Sequence, residues 1–430
     1  MSVSDLSAAL RARGLATRVV FGPAASAAGV LKSMLPQGRV ALAAEEGQFA
    51  AAQRVRAALS GFTVYMNVLG AGSCGAELFS LPDDVRAAVG IGARGIAAAR
   101  CFAALRGGCS LAVPASPSAR GVWEKCVPAG CGDYPVRPAD LVLFDGALAA
   151  EGGGGGALAA QRTSAPALSP AGMPFADPRA GGAAGVAEAL AELAPALAAA
   201  EDAEADAVFS GRGGQENAFR PAAEAVRAAA AAFCRTAAEG GALSSACEGV
   251  FSASSLYFLA RRDAPPVAAE EAARLAAEKT KQGYPACAAA VCLYFARRYE
   301  RLFSSAVPRP YFVPDYCARL ARAAAETGRA LFSNVRVPSG EESARLAALF
   351  LQARGRLARG AGLFAEGMAG LLRAYFVAGG APPALPAGLA GALYDLSAEL
   401  SPLLCGPALE RELGLLPNPR AAAEILFARA

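Results

Sequence analysis

The first 150 residues alternate short, continuously apolar segments with alanine-rich segments of helical spacing. Uninterrupted apolar runs of this length are typical of buried parallel strands, which need a crossover helix between them. The repeated units predict a parallel sheet with helices on both faces. The predicted strands are TRVVFG, GRVALAAEE, FTVYMNVL, AVGIG, CSLAVPAS and ADLVLFD. We predict a further helix beginning at LPDDVRAA, because a proline and two acids are favourable in a first helical turn.

The amino-acid composition of the chain changes at Glu151. Residues 151–185 are rich in Gly, Pro and Ser and are predicted to form a linker or a long loop. From residue 186 to the end, one helical pattern follows another without a convincing strand. The sequence therefore predicts an α/β nucleotide-binding-type domain over 1–150 and an all-helical domain over 186–430. A cleft between two such domains is a common binding site.

Charge and cysteine usage exclude several classes of protein. The net charge is only +4 and the arginines are scattered, so we expect no nucleic-acid partner. The most alanine-rich run, 183–200, contains two glutamates and is expected to be a water-soluble helix rather than a membrane span. Eleven cysteines at irregular spacing indicate a reducing cytoplasm, and CVPAGC lacks the spacing of a zinc knuckle.

The chain contains no histidine. Histidine is the usual general base near neutral pH and the commonest metal ligand. Its absence excludes Ser-His-Asp triads, Cys-His dyads and histidine-based zinc or iron sites. Any chemistry must therefore depend on carboxylates, lysine, tyrosine, cysteine or a cofactor. An alternative explanation of the missing histidine is compositional drift in an alanine- and arginine-rich genome.

The stretch VGIGARGIAAARCF places a glycine turn between a predicted strand and a predicted helix. Glycines allow a close approach to the backbone, and a helix N-terminus offers N–H groups to a phosphate. Gly90 and Gly92 are therefore candidate cofactor-binding residues, with a tight turn formed only for packing as the alternative. Glu45 ends the second strand, where an acid holds the ribose hydroxyls of a dinucleotide. A solvated carboxylate at a helix start is the alternative for Glu45.

Four further stretches follow in order: VPASPSARG, GGGGAL, SACEGVFSA and QG. In this order of segments the chain resembles the group of iron-dependent alcohol dehydrogenases, glycerol dehydrogenases, sn-glycerol-1-phosphate dehydrogenases and dehydroquinate synthases. The glycerol-1-phosphate branch is the most similar, and the resemblance covers most of residues 17–300. It implies a dehydroquinate synthase-like fold with NAD or NADP in the cleft. It also implies that Pro114 and Ser118 bind the cofactor.

The same resemblance implies a zinc or iron ion held by an aspartate and histidines, but the matching positions have changed. They are Gly156, Gly249 and Gln282 in this chain. Glycine offers no donor atom, and a neutral amide is a poor ligand for either metal. We therefore expect no bound metal. A metal that polarises the alcohol contributes several kcal/mol to such a reaction, so its loss would abolish most of that activity.

Three functions remain open from the sequence. The leading one is a non-catalytic or catalytically altered protein that binds NAD(P) or a phosphorylated ligand. The second is a metal-independent oxidoreductase or lyase acting on a small phosphorylated or carboxylated substrate. Its candidate catalytic residues are Arg120, Glu248, Lys281 and Tyr284. The alternatives are a surface loop arginine for Arg120, a solvated helix end for Lys281 and a packing role for Tyr284. The third is a structural subunit, and the resemblance adds a homo-oligomer as an expectation. No membrane partner is expected.

Overall fold

The computed structural model describes residues 3–70, 73, 75–128, 133–152, 178–210, 217–306, 340–380, 383–386, 388–397 and 406–412. These residues form two compact units. Unit 1 comprises Met1–Ala189, Ala228–Arg262 and Ala374–Gly380. Unit 2 comprises Leu190–Arg227, Asp263–Arg373 and Ala381–Ala430. Because each unit draws on several stretches of the chain, the predicted domain boundaries at 150 and 186 stay a prediction.

Unit 1 contains a six-stranded parallel sheet in the order β1-β8-β5-β4-β2-β3. All six segments predicted to be strands contribute to it. A two-stranded antiparallel ribbon pairs β6 with β7, and the sequence patterns did not predict this ribbon. The strands are β1 Arg18–Phe21, β2 Gly38–Glu45, β3 Phe62–Leu69, β4 Val85–Ile91, β5 Cys109–Val113, β6 Cys126–Pro128, β7 Asp133–Pro135 and β8 Leu141–Phe144.

Helices cover both faces of the sheet, as the sequence predicts. Along β2, Val40 and Leu42 belong to a core with α2, α3 and α5, whereas Ala41 and Ala43 belong to a core with α4. The helices of the first half are α1 Val3–Ala12, α2 Ala27–Lys32, α3 Phe49–Ala58, α4 Gly92–Arg106, α5 Gly146–Gly152 and α6 Pro178–Glu192.

The prediction of a helix beginning at LPDDVRAA is wrong. Residues from Val85 onward form strand β4, which pairs with β2 on one side and β5 on the other. Most of β4 is buried between the two helical layers. Hydrogen bonding to both neighbours outweighs the local preference of the proline and acids for a helix start.

The second half of the chain is helical where the structure describes it. Its helices are α7 Ala194–Phe209, α8 Arg220–Ala238, α9 Ser244–Asp263, α10 Ala268–Thr280, α11 Tyr284–Ser305, α12 Gly340–Val377, α13 Leu389–Ser397 and α14 Gly406–Glu412. An aromatic cluster forms part of the core of unit 2; it comprises Phe295, Tyr299, Phe303, Phe350, Phe364 and Tyr394.

One stretch of helix, Gly182–Phe209, is long and apolar enough to cross a membrane by length and composition, among the residues searched. Within its most apolar window, 83% of the residues are buried inside the protein. This burial is typical of a core helix. Of the predicted linker over 151–185, residues 153–177 lie outside the described residues, whereas residues from Pro178 onward form α6.

Candidate functional site: the switch point of the sheet

The chain leaves strands β2 and β4 in opposite directions. It passes from β2 through α3 to β3 at the sheet edge, and from β4 through α4 to β5 on the other side. The two helices pack on opposite faces, so the carboxyl ends of β2 and β4 form the topological switch point of the sheet, which we call the crevice. Open α/β sheets bind their ligands at such a topological switch point.

Glu45 and Gly92 meet at this crevice. Glu45 is the last residue of β2, and Gly92 begins α4 directly after β4. The N–H of Arg94 donates a hydrogen bond to Glu45 Oε1 at 2.5 Å. A Cβ at Gly92 would lie 3.0 Å from Cδ of Glu45, and the backbone there has a φ of +74°. Glycine is therefore required at position 92, and Glu45 caps the N-terminus of α4.

The other oxygen of Glu45 remains available. Within the described part of the chain, Oε1 accepts the Arg94 N–H, and no hydrogen bond reaches Oε2. The Glu45 side chain is 23% exposed, so a ligand can reach it. The Arg94 guanidinium lies 4.0 Å from Glu45 Oε1 and donates a 3.0 Å hydrogen bond to the carbonyl of Gly70, just beyond β3. Among the described residues, the Glu45 carboxylate, the Arg94 guanidinium and the N-terminus of α4 thus lie together at the crevice.

Gly90 and Gly95 allow α4 to lie directly against the sheet. A Cβ at Gly90 would stand 2.4 Å from Cα of Ile96, and one at Gly95 would stand 2.5 Å from the carbonyl oxygen of Ala43. Both distances are shorter than any tolerated carbon contact. The alternative interpretation of the glycine turn as a packing device therefore accounts for Gly90, whereas Gly92 lies at the crevice itself.

The loop after β5 carries the next predicted residues. Pro114 directly follows β5 and is buried, and Ser118 Oγ accepts a 3.2 Å hydrogen bond from the N–H of Arg120. The N–H of Ala119 donates a 2.8 Å hydrogen bond to Ser254 Oγ on α9. Ser118 therefore shapes the loop, which is anchored to a buried helix of the same unit.

Arg100 of α4 stabilises the same loop through hydrogen bonds to backbone carbonyl oxygens. It is 2% exposed, and its guanidinium donates to the carbonyl oxygens of Gly121, Glu124 and Arg137. Sequence patterns did not single out Arg100 or Ser254. The presence of an arginine in the middle of an alanine-rich buried helix was the available signal for the first. For Ser254, nothing in its local sequence distinguishes it from its serine neighbours.

Arg120 and Glu248 both lie in unit 1. Arg120 is half-exposed, and its Nε lies 3.9 Å from Oε1 of Glu124, four residues further along the chain. Glu248 is partly exposed on α9, next to Cys247. Burial and, to a smaller extent, the charge of Glu248 raise the pKa of the Cys247 thiol to about 12. Cys247 is therefore not a thiolate nucleophile near neutral pH.

Lys281 and Tyr284 lie in unit 2, at the junction of α10 and α11. Lys281 is the exposed C-cap of α10, with a φ of 59°, and Lys279 is exposed in its last turn. Lysines at a helix C-terminus are favoured by the helix dipole. Tyr284 is the first residue of α11 and is partly exposed. The structure thus shows a local role for Lys281, and the catalytic assignments of all four residues stay predictions.

The positions matched to metal ligands carry no suitable donor set. A Cβ built at Gly249 would find Ala229 Cβ at 4.0 Å as its nearest neighbour, and Gln282 is exposed. Gly156 lies outside the described residues. Among the residues that the structure does describe, no group of three or more cysteine, aspartate and glutamate side chains could hold a metal ion. Gly249 and Gln282, the two matched positions that the structure describes, therefore supply no usual ligand of zinc or iron.

The fold is that of the iron-containing alcohol dehydrogenase and dehydroquinate synthase-like group. The structure of 1,3-propanediol oxidoreductase aligns with a TM-score of 0.53 and 14% identity, covering 95% of this chain and 97% of that one. Iron-containing alcohol dehydrogenase from Corynebacterium glutamicum gives 0.51 and 13%, over 95% and 97%. Maleylacetate reductase from Rhizobium sp. strain MTP-10005 gives 0.50 and 16%, over 94% and 96%.

Sequence comparison adds nothing to this likeness, since neither a family model nor a curated protein matches the chain. At such low identity the solved structures establish the fold alone. The resemblance inferred from segment order is confirmed at that level, and the activity of the chain is a separate question.

Proposed function

We propose that this chain binds a dinucleotide of the NAD class at the switch point between β2 and β4, and that it does so without a resident metal ion. The observation that carries the proposal is the meeting of Glu45, Gly92 and the first turn of α4 at one crevice. A diphosphate is attracted to a helix N-terminus, and an acid at the end of the neighbouring strand suits the ribose hydroxyls. The solved structures that share the fold are named as reductases and dehydrogenases.

The ribose and the diphosphate of the ligand would bind to different atoms of the crevice. Glu45 Oε2 would accept from a ribose hydroxyl, while Oε1 keeps its hydrogen bond to the Arg94 N–H. Arg94 would attract the diphosphate by its charge. A carboxylate at this position disfavours a 2′-phosphate by charge repulsion, so NAD is expected to bind more tightly than NADP.

The residues at the three positions matched to metal ligands, Gly156, Gly249 and Gln282, support a metal-free protein. With no histidine in the chain, the hydride-transfer reaction of the metal-dependent relatives would lack its Lewis acid. We therefore propose a non-catalytic or catalytically altered nucleotide-binding protein. The metal-independent enzyme, the structural subunit, a cytoplasmic location and a homo-oligomeric state remain expectations from the sequence.

The test of nucleotide binding is a titration of the full-length protein with NADH, monitored by the fluorescence of the reduced nicotinamide. We expect saturable binding that weakens by about tenfold in Glu45→Gln, because a ribose hydrogen bond to a charged acceptor is lost. The control is Glu46→Gln, which removes the same charge from the adjacent exposed residue and should bind like the wild type. Failure of the wild type to bind at millimolar NADH, or equal weakening in both variants, would contradict the proposal.

The metal-free state is tested separately. Elemental analysis of protein purified without chelators should give zinc and iron well below one atom per chain. A stoichiometric content of either metal would contradict this part of the proposal and leave nucleotide binding intact.

A further inference from the structure

Two buried carboxylates attach α14 to unit 2, and neither belongs to the switch point. Asp202 of α7 is 2% exposed, and its Oδ1 accepts hydrogen bonds from the hydroxyl of Tyr299 and from the N–H of Gly406 at 3.2 Å. Gly406 also donates to the Tyr299 hydroxyl at 3.1 Å. A Cβ at Gly406 would lie 2.1 Å from a ring carbon of Tyr299, so the start of α14 lies directly on this ring.

The second carboxylate is Glu410, one helical turn further along α14. It is 4% exposed and forms an ion pair with Arg298 of α11. The hydroxyl of Tyr394 donates to Glu410 Oε1 at 3.1 Å, and the Arg298 guanidinium lies 5.0 Å from the centre of the Tyr394 ring. The charge of Glu410 is therefore matched by a cation within hydrogen-bond distance.

Among the described residues, Asp202 has no ion pair with a cation. The titratable groups that interact with it are Asp206 and Glu201 of its own helix and Cys292 of α11. Arg298 is engaged with Glu410. Within the described residues, Asp202 Oδ2 has no hydrogen-bond partner. An ionised carboxylate in such a dry site is costly, and displacement of α14, whose Gly406 N–H contacts the carboxylate, would admit water to it.

We propose that Asp202 is a proton-dependent latch, which holds α14 on unit 2 while the carboxyl is neutral and loosens it when the carboxyl ionises. The direction follows from linkage. Burial, with a smaller contribution from Asp206, raises the pKa of Asp202 to about 7, against hydrogen bonds from Tyr299 and Gly406 that lower it. Docking of α14 is therefore strongest below the pKa of about 4 of a hydrated aspartate and weakens as the pH rises to about 7.

The latch is distinct from two other groups that titrate nearby. Burial and the charge of Asp202 raise the pKa of Glu201 to about 7. Burial raises the pKa of Asp395 to about 6, although Arg298 lowers it. Among the described residues, Glu201 forms no hydrogen bond to the backbone of α14. Glu201→Gln therefore serves as the control for general titration of unit 2.

The test is hydrogen exchange of the full-length protein, followed by mass spectrometry on a peptide covering residues 406–412. After correction for the intrinsic effect of pH, the protection of this peptide should fall about tenfold from pH 6 to pH 8, as linkage requires for one group with a pKa near 7. Asp202→Asn should reduce this fall to less than twofold. Glu201→Gln should retain it.

A second variant keeps the test decisive if Asp202→Asn does not fold. Tyr299→Phe removes a donor to the ionised form, which should move the fall in protection to higher pH. An unchanged fall in Asp202→Asn, an unmoved fall in Tyr299→Phe, or constant protection in the wild type would overturn the latch. A fall shared equally by α11 would also overturn it, because it would report unfolding of the whole unit.

Discussion

Glu45 and Asp202 perform the same local task in two different surroundings. Each accepts the backbone N–H of a residue at the start of a helix, Arg94 of α4 or Gly406 of α14. Glu45 is partly exposed and lies near a guanidinium, whereas Asp202 is buried with one oxygen unpartnered among the described residues. The first is suited to meeting a ligand, and the second to responding to protons.

This comparison teaches that the hydrogen bond to a helix N-terminus does not by itself define the role of a carboxylate. At Asp202 the hydrogen bonds from Tyr299 and Gly406 favour the ionised form. In unit 2 the loss of hydration outweighs those bonds, so the neutral form is stabilised. Solvent access at the second oxygen therefore decides whether a helix-capping acid is available for binding.

The largest expected effect comes from removing the cation that matches Glu410. Arg298→Met leaves the Glu410 carboxylate buried without a paired cation, which is the situation of Asp202 among the described residues. The substitution should lower the free energy of unfolding by about 3–5 kcal/mol. Urea denaturation monitored by circular dichroism measures the loss. Arg356→Met is the matched control, because its ion pair with Glu204 is largely exposed on the arginine side and should contribute about 1 kcal/mol or less. Equal losses would show that burial does not distinguish the two pairs.

An intermediate effect is expected where α4 approaches the sheet. Gly95→Ala places a methyl group 2.5 Å from the carbonyl oxygen of Ala43, so α4 must move away from β2 and from Glu45. We expect a loss of about 1–3 kcal/mol in unfolding free energy, together with weaker NADH binding. Gly249→Ala, inside α9 with nothing nearer than 4.0 Å, should instead gain about 0.5–1 kcal/mol. Thermal unfolding of both variants checks the difference in sign.

The smallest effect should come from the cap itself. Glu45→Gln keeps an acceptor for the Arg94 N–H but removes the charge at the start of α4, so stability should fall by about 0.5–1 kcal/mol. Because Glu45 is reached by solvent, the loss should shrink when unfolding is measured in 1 M salt. A loss that salt leaves unchanged would place Glu45 in a setting like that of Asp202 and would remove the contrast between them.

The sheet and its switch point could be predicted because their determinants are local. Continuous apolar runs define the strands, and Glu45 and Gly92 each end or follow a strand, so a parallel sheet must bring them to one edge. The start of β4 at Val85 could not be predicted, because pairing on both sides overrides the helix-start signal before it.

The residues of the latch, Asp202, Tyr299 and Gly406, could not be predicted because their contacts join positions that are far apart in the chain. Asp202 lies in the run EDAEAD, which has the pattern of a solvated helix face. Its burial depends on Tyr299 and Gly406, which are 97 and 204 positions away in the chain. No periodicity within a window of helical length contains that information, whereas the glycine turn and its strand are contiguous.

The pairing of β1 with β8 has a consequence for synthesis on the ribosome. Arg18 is in register with Leu141, and the Asp145 carboxylate accepts the N–H of Ala24 just beyond β1. Strand β1 therefore waits for more than a hundred further residues before its partner β8 is translated. Until β8 is translated, this apolar segment of the nascent chain has no strand partner. During that interval it can be bound by chaperones that recognise unpaired strand edges.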